Sequence, residues 1–242
     1  MLPTLYKNPE KGVGMIFAGP SGYGKTTLAI ACAKYLADGK LFNSYLGSDP
    51  HIVLNRHVNI IDEVHLMKTP EELYPVLDEG NKVIILTTNF SGNLPEALQN
   101  RCRQYIFTEY DKEELLLMAM DSTTFKASEE NYLKLVDATG GNPRELKILV
   151  DDFGQYFQEN PQISSLAVDF NQILENVFQI KNGLNTLSRR YLEVLSDVGG
   201  KSSLHLLQTI LHLDSNVITQ QIEPVLLKKG LIQITSKGRM LV

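Results

Sequence analysis

Several things are scarce in this sequence, and each shortage closes off a class of protein. Cysteine occurs twice in 242 residues, at Cys32 and Cys102, without the spacing of a metal site. Cys32 sits among alanines and reads as a small core residue, and the pair suits a reducing cytoplasm. No stretch approaches 18 uncharged apolar residues, so no membrane span is expected. The opening Met-Leu-Pro-Thr-Leu-Tyr-Lys has no apolar h-region, so no signal peptide is expected either. Internal repeats and low-complexity tracts are absent. Excess positive charge is lacking as well: the formal charge is −5, which argues against a surface coated with basic groups. What remains, 43% hydrophobic and 21% charged, is ordinary for a globular protein with ample core.

The most informative stretch is Gly19-Pro-Ser-Gly-Tyr-Gly-Lys-Thr-Thr27, which fits G-x-x-x-x-G-K-[ST] with Gly19, Gly24, Lys25 and Thr26 at the fixed positions. A short apolar run, Val13 to Ala18, precedes it and reads as a buried strand; the Ala- and Leu-rich stretch after it reads as a helix. In that setting the loop of Gly19, Pro20, Ser21, Gly22, Tyr23, Gly24, Lys25, Thr26 and Thr27 can wrap a polyphosphate with the backbone N–H groups of all but Pro20, helped by the helix N-terminus. Lys25 would reach the β- and γ-phosphates, and the Thr26 hydroxyl would hold Mg²⁺. ATP and Mg²⁺ are the expected cofactors.

After a polar lead-in over residues 1–12 with Pro3 and Pro9, apolar runs at 13–18, 41–46, 58–61, 83–86 and 104–107 alternate with helical stretches. That alternation predicts a parallel sheet with helices on both faces. From Tyr110 onward the pattern turns helical, over 111–120, 128–138, 143–157 and 169–178, and Lys181-Asn-Gly183 marks a linker candidate. Helices at 187–197, 203–212 and 219–229 follow, then a hairpin about Thr235-Ser-Lys-Gly238, which together predict a winged helix. The expected domains are therefore an α/β nucleotide-binding domain over 1–109, a small helical domain over 110–182 and a winged helix over 183–242.

Chemistry gathers at strand ends. Asp62 closes the run Val58-Asn-Ile-Ile61 and would hold Mg²⁺ through water; Glu63, one step on, would be the general base or would orient the attacking water. Asn89 ends the neighbouring strand, from which its amide could touch the γ-phosphate or that water. One of Arg101 and Arg103 is expected to face an adjacent subunit as an arginine finger. Asn142 caps a helix whose first turn holds Arg144, a cation that suits an anion such as a nucleotide phosphate.

These residues resemble the AAA+ ATPases, and within them they are most similar to RuvB-type Holliday-junction branch-migration motors. Gly19 to Ala29, Ile60-Ile-Asp-Glu-Val-His65, Leu73-Tyr-Pro75 and Leu86-Thr-Thr-Asn89 carry the likeness, although the family usually has Arg where Asn89 stands. Glu223 to Leu231 and Thr235-Ser-Lys-Gly-Arg239 resemble its winged helix, whose wing touches DNA phosphates. The resemblance implies a P-loop AAA+ domain, a helical lid and a winged helix. It also implies Arg101 as finger, Arg144 as second sensor, and Tyr110 lining the nucleotide pocket. Its expected setting is a cytoplasmic homo-oligomer, a ring or spiral read as hexameric, acting on duplex or branched DNA. Between Pro75 and Val83 the family carries a long hairpin that docks on RuvA. Only Val76 to Lys82 stand here, so any protein partner is expected to be other than RuvA.

Residues 184–242 hold seven Lys/Arg against four Asp/Glu, a net +3 that leaves the remainder at −8. Lys237 and Arg239 in the hairpin are therefore the expected DNA contacts, gripping backbone rather than reading bases. The leading functional expectation is an ATP-hydrolysing DNA motor. Its rival is an ATP-switched loader or targeting adaptor that places another protein on DNA, and a nucleotide-binding scaffold without DNA contact is the third.

Overall fold

Val13–Ala18 forms β1, and all but its first residue are buried, which is why the run carries no polar side chain. The structure is a computed structural model that describes residues 12–89 and 91–242; the expected lead-in over 1–11 lies outside the described residues. The motif then opens α1 (Lys25–Ala37). Four more strands follow: β2 (Asn43–Leu46), β3 (Val58–Asp62), β4 (Val83–Thr88) and β5 (Cys102–Ile106). All pair in parallel in the order β2-β3-β4-β1-β5. Short helices α2 (Tyr74–Glu79) and α3 (Glu96–Gln99) lie in the crossovers.

Side-chain alternation splits the sheet's two cores. Met15, Phe17, Ile60 and Ile85 pack with Ala29, Cys32 and Ala33 of α1 on one face. Ile16, Ala18, Ile61, Ile84 and Leu86 pack with Val64, Leu73, Leu94 and Leu98 on the other. Each large side chain fully removed from water there contributes roughly 1.5–3 kcal/mol. Cys32 is such a core residue, 2% exposed. Strand β5 starts two residues before the expected Gln104 and stops at Ile106.

The chain falls into two compact units, one ending at Glu109 and the other beginning at Tyr110. The second opens with four helices: α4 (Lys112–Ser122), α5 (Glu129–Ala138), α6 (Pro143–Glu159) and α7 (Phe170–Asn176). Each has a side-chain N-cap, from Asp111, Ser128, Asn142 and Asp169. Leu115, Leu135, Leu149, Phe153 and Phe170 form their core.

The remaining residues build the winged helix from α8 (Thr186–Asp197), α9 (Leu204–Leu211) and a long helix from Ser215. That helix runs as α10 (Ser215–Val217), a π segment over Ile218–Ile222, and α11 (Glu223–Lys228). The π segment has a local cause: Pro224 has no N–H to give the preceding turn, and its ring crowds the carbonyl there. Its core, with Tyr191, Leu195, Leu207, Ile222, Leu226 and Ile232, is separate from that of the four helices. We keep the boundary at 182/183 as a proposal on that ground.

Three local details refine these expectations. The hairpin of β7 (Ile232–Thr235) and β8 (Gly238–Leu241) closes on two residues, Ser236-Lys237, since Thr235 pairs with Gly238. A third strand, β6 (Lys201–Ser202), pairs with β8 in the order β6-β8-β7. Lys181-Asn-Gly183, the linker candidate, is a tight turn: Lys181 and Leu184 exchange backbone bonds at 3.0 Å, with Asn182 and Gly183 both left-handed.

Candidate active site

Parallel pairing of β3, β4 and β1 side by side brings their C-terminal ends to one edge of the sheet. The loop over residues 19–24, Asp62-Glu63 and Thr87-Thr88-Asn89 all leave from that edge. Gly24, at φ 85°, precedes α1, and no side chain caps this helix. Lys25 is only 5% exposed. Its ammonium donates to Pro20 O and Asn89 Oδ1, each at 2.8 Å. A buried ammonium needs such partners, because desolvating it alone is costly.

Thr26 Oγ1 donates to Asp62 Oδ1 at 2.8 Å. The same Asp62 oxygen accepts from Thr87 Oγ1, which in turn accepts from the Glu63 N–H at 3.1 Å. Asn89 Nδ2 donates to Glu63 Oε2 at 3.0 Å and Oε1 at 3.3 Å. One amide thus bridges Lys25 and Glu63. His65 Nδ1 lies 3.3 Å from Glu63 Oε2 and 3.1 Å from Thr88 Oγ1. Burial, and then the Glu109 carboxylate, raise the Tyr23 phenol above its ordinary value, which keeps it neutral.

Glu63 has left-handed backbone, φ 52° and ψ 49°, a conformation that costs a non-glycine residue about 1 kcal/mol or more. Gly47 approaches this backbone closely. Gly47 N donates to Asp62 O at 2.7 Å, and a Cβ at residue 47 would stand 2.3 Å from the Glu63 carbonyl oxygen. Thr87, Thr88 and His65 were not among the residues expected here. The signal for the first two was two hydroxyls closing an apolar run, both now 0% exposed. A hydroxyl beside a carboxylate suits Mg²⁺, which takes hard oxygens and completes its shell with phosphates and water. Among the described residues no group of three or more His, Cys, Asp and Glu could hold an ion.

Arg101 stands at the other end of the sheet. Strand β5 pairs with β1 with Cys102 opposite Gly14 and Ile106 opposite Ala18. Arg101 is therefore level with the start of β1, roughly 20 Å along the strand direction from Gly19. It is fixed there: Nε and Nη2 donate to Asp78 at 2.9 and 3.2 Å, Nη1 donates to Ala97 O at 2.9 Å, and the guanidinium lies 4.7 Å from the Tyr74 ring centroid. Arg103 is exposed on the same strand.

In the second unit Arg144 is exposed in the first turn of α6, where its N–H donates to Asn142 Oδ1 at 3.0 Å. Tyr110 precedes the Asp111 cap and packs on the helical core. Lys237 is exposed in the wing turn. Arg239 needs a correction as an expected DNA contact, because its guanidinium is turned inward. Nε donates to Glu223 Oε1 at 2.8 Å and Nη2 to Oε2 at 3.3 Å, while Tyr191 Oη donates to the same carboxylate at 3.0 Å. Glu223 is 2% exposed, so the arginine neutralises a buried charge.

Residues 15–110 match the model of the ATPase family associated with various cellular activities (AAA), and residues 181–242 that of the RuvB C-terminal winged helix domain. Fold, strand-end chemistry and these matches define the class: an ATPase built of an AAA domain followed by a RuvB-type C-terminal winged helix. Within that class its similarity is to RuvB. The Holliday junction branch migration complex subunit RuvB of Pseudothermotoga lettingae is 29% identical, over 93% of this chain and 76% of the relative. Its counterpart in Mycoplasma genitalium is 24% identical, over 94% and 83%. The solved Thermotoga maritima RuvB Holliday junction branch migration motor superposes with a TM-score of 0.79 at 23% identity, over 95% of this chain and 84% of that one, a likeness of fold.

Proposed function

We propose that the chain binds and hydrolyses ATP as a ring or spiral homo-oligomer and uses the turnover to act on DNA, as a RuvB-like branch-migration motor. The observation that carries this is the set of contacts at one sheet edge, from Lys25 through Asn89 to Glu63 and from Thr26 to Asp62, in a chain with a RuvB-type winged helix. The loop from Gly19 to Thr27 cradles the phosphates and Lys25 neutralises them. Thr26 and Asp62 hold Mg²⁺, which supplies charge neutralisation on the phosphates. Glu63 takes the proton of the attacking water or orients it, and Asn89 sets the direction of the Glu63 carboxylate. Arg144 and Tyr110, both on the second unit, are taken as further nucleotide contacts on the strength of the family resemblance.

Arg101 serves a neighbouring subunit's site. Its place at the far end of β5 supports this, since about 20 Å of strand separates it from its own loop. Lys237 is the wing's contact with DNA phosphate. The alternative, an ATP-switched loader with another protein as cargo, is favoured by one observation. Where RuvB-type motors carry the RuvA-docking hairpin, this chain has only α2 and the turn at Gly80 before β4. The test is steady-state ATP hydrolysis with no DNA, linear duplex or a four-way junction, alongside junction dissociation by the full chain. Junction-stimulated turnover with dissociation is the expected result, and Lys237→Ala weakens it. Stimulation without any dissociation supports the loader, and no DNA effect at low salt refutes both.

A further inference from the structure

The glycines of Thr139-Gly-Gly-Asn142 answer to two demands, a left-handed backbone and the close approach of the winged helix. Gly140 and Gly141 have φ of 60° and 82°. A Cβ on Gly140 would stand 2.9 Å from Val225 Cγ2, and one on Gly141 would stand 2.7 Å from Lys228 Nζ. Both contacts come from α11, the helix that follows the π segment. A third contact lies close by, where a Cβ on Gly183 would meet Lys229 Nζ and the Asp137 carbonyl oxygen, each at 2.7 Å. The two modules are also bonded at their junction, since Arg189 Nη2 donates to Gln179 O at 3.0 Å across the tight turn at Asn182-Gly183. The winged helix is thus seated against the turn that leads into α6.

That turn has little freedom. The Asn142 N–H donates to Thr139 O at 3.2 Å, the Asn142 side chain caps α6, and the Leu146 N–H donates to Asn142 O at 2.9 Å. Moving α11 therefore moves the first turn of α6, and with it Arg144. We propose that Val225 and Lys228 are positioning residues for ATP binding: they set Arg144 through the Gly140-Gly141 turn, so that the winged helix and the nucleotide site report on each other. This rests on Arg144 contacting nucleotide, and the coupling is reciprocal.

The test is a mutant cycle in the full-length chain, with mant-ATP and Mg²⁺ as the probe and thermal melting as the check on folding. Val225→Ala combined with Lys228→Ala is expected to weaken mant-ATP about fivefold or more, and Arg144→Ala to weaken it at least as much. Joined to Arg144→Ala, the pair adds nothing, because its effect runs through that arginine. A pair that leaves affinity intact, or whose loss multiplies with that of Arg144→Ala, overturns the coupling while leaving Arg144 as a nucleotide contact. An Arg144→Ala chain with unchanged affinity overturns both. If the pair does not fold, Lys228→Met, an exposed change that keeps the side-chain stem, replaces it in the cycle. A loss of affinity that vanishes in the Arg144→Ala background then supports the coupling, and intact affinity overturns it.

Discussion

Removing Arg239 tests whether the arginine beside the wing serves DNA or the fold. Its partner Glu223 is 2% exposed and would be left as a buried carboxylate with Tyr191 Oη as its remaining neutral donor. Breaking a buried pair from one side costs about 3–5 kcal/mol, and the surviving Tyr191 bond places Arg239→Met near 3. At roughly 4 °C per kcal/mol, the transition of the unit from Tyr110 onward should fall by about 12 °C. Removing both charges, as Arg239→Met with Glu223→Leu, should recover most of that loss, since a well-packed apolar pair replaces a buried ion pair at little net cost. Lys237→Ala, an exposed change two residues away, should shift stability by less than about 0.5 kcal/mol. Calorimetry of the full chain with these variants is the assay. A melt within a degree or so of wild type for Arg239→Met, or equal loss in Lys237→Ala, refutes the inward role.

Glu63→Gln should still bind ATP while turnover drops by roughly 10²-fold, measured by filter binding and phosphate release; near-normal turnover removes Glu63 from the mechanism. Arg101→Ala should bind ATP but not hydrolyse it, and mixing it with Lys25→Ala should restore part of the rate. Failure to rescue in oligomers shown to be mixed counts against a finger acting in trans. Gly47→Ala drives a methyl into the Glu63 carbonyl, so kcat should fall by about tenfold with little change in ATP affinity. An unchanged kcat there would mean that the Glu63 backbone is not held by this contact.

The phosphate loop and the three strong strands were legible because their information is local. A short uninterrupted apolar run such as Val83-Ile-Ile-Leu86, rich in β-branched residues and preceded by a turn, suits a buried strand. The helix starts at Ser128 and Asn142 could be read for the same reason, since a cap is a short-range pattern. What escaped was set by tertiary pairing. Strand β6 is two residues long and exists only because β8 lies beside it. Arg239 looked like a solvated wing cation because nothing nearby in sequence reveals that Glu223, across the π segment's end, faces it. Thr87, Thr88 and His65 meet Asp62 and Glu63 only through the register of β3 against β4.

The opposed placement of the phosphate loop and Arg101 has a consequence for counting. If Arg101 acts in trans, each chain offers a nucleotide pocket at one end of its sheet and a finger at the other. Copies then associate head to tail, because the two surfaces are different and neither is its own complement. A pair completes a single site, and an open spiral always holds one fewer complete site than it has chains. Only closure into a ring gives every chain a finger. Hydrolysis per chain would therefore rise with protein concentration and level off at closure, making turnover itself a gauge of how far assembly has gone.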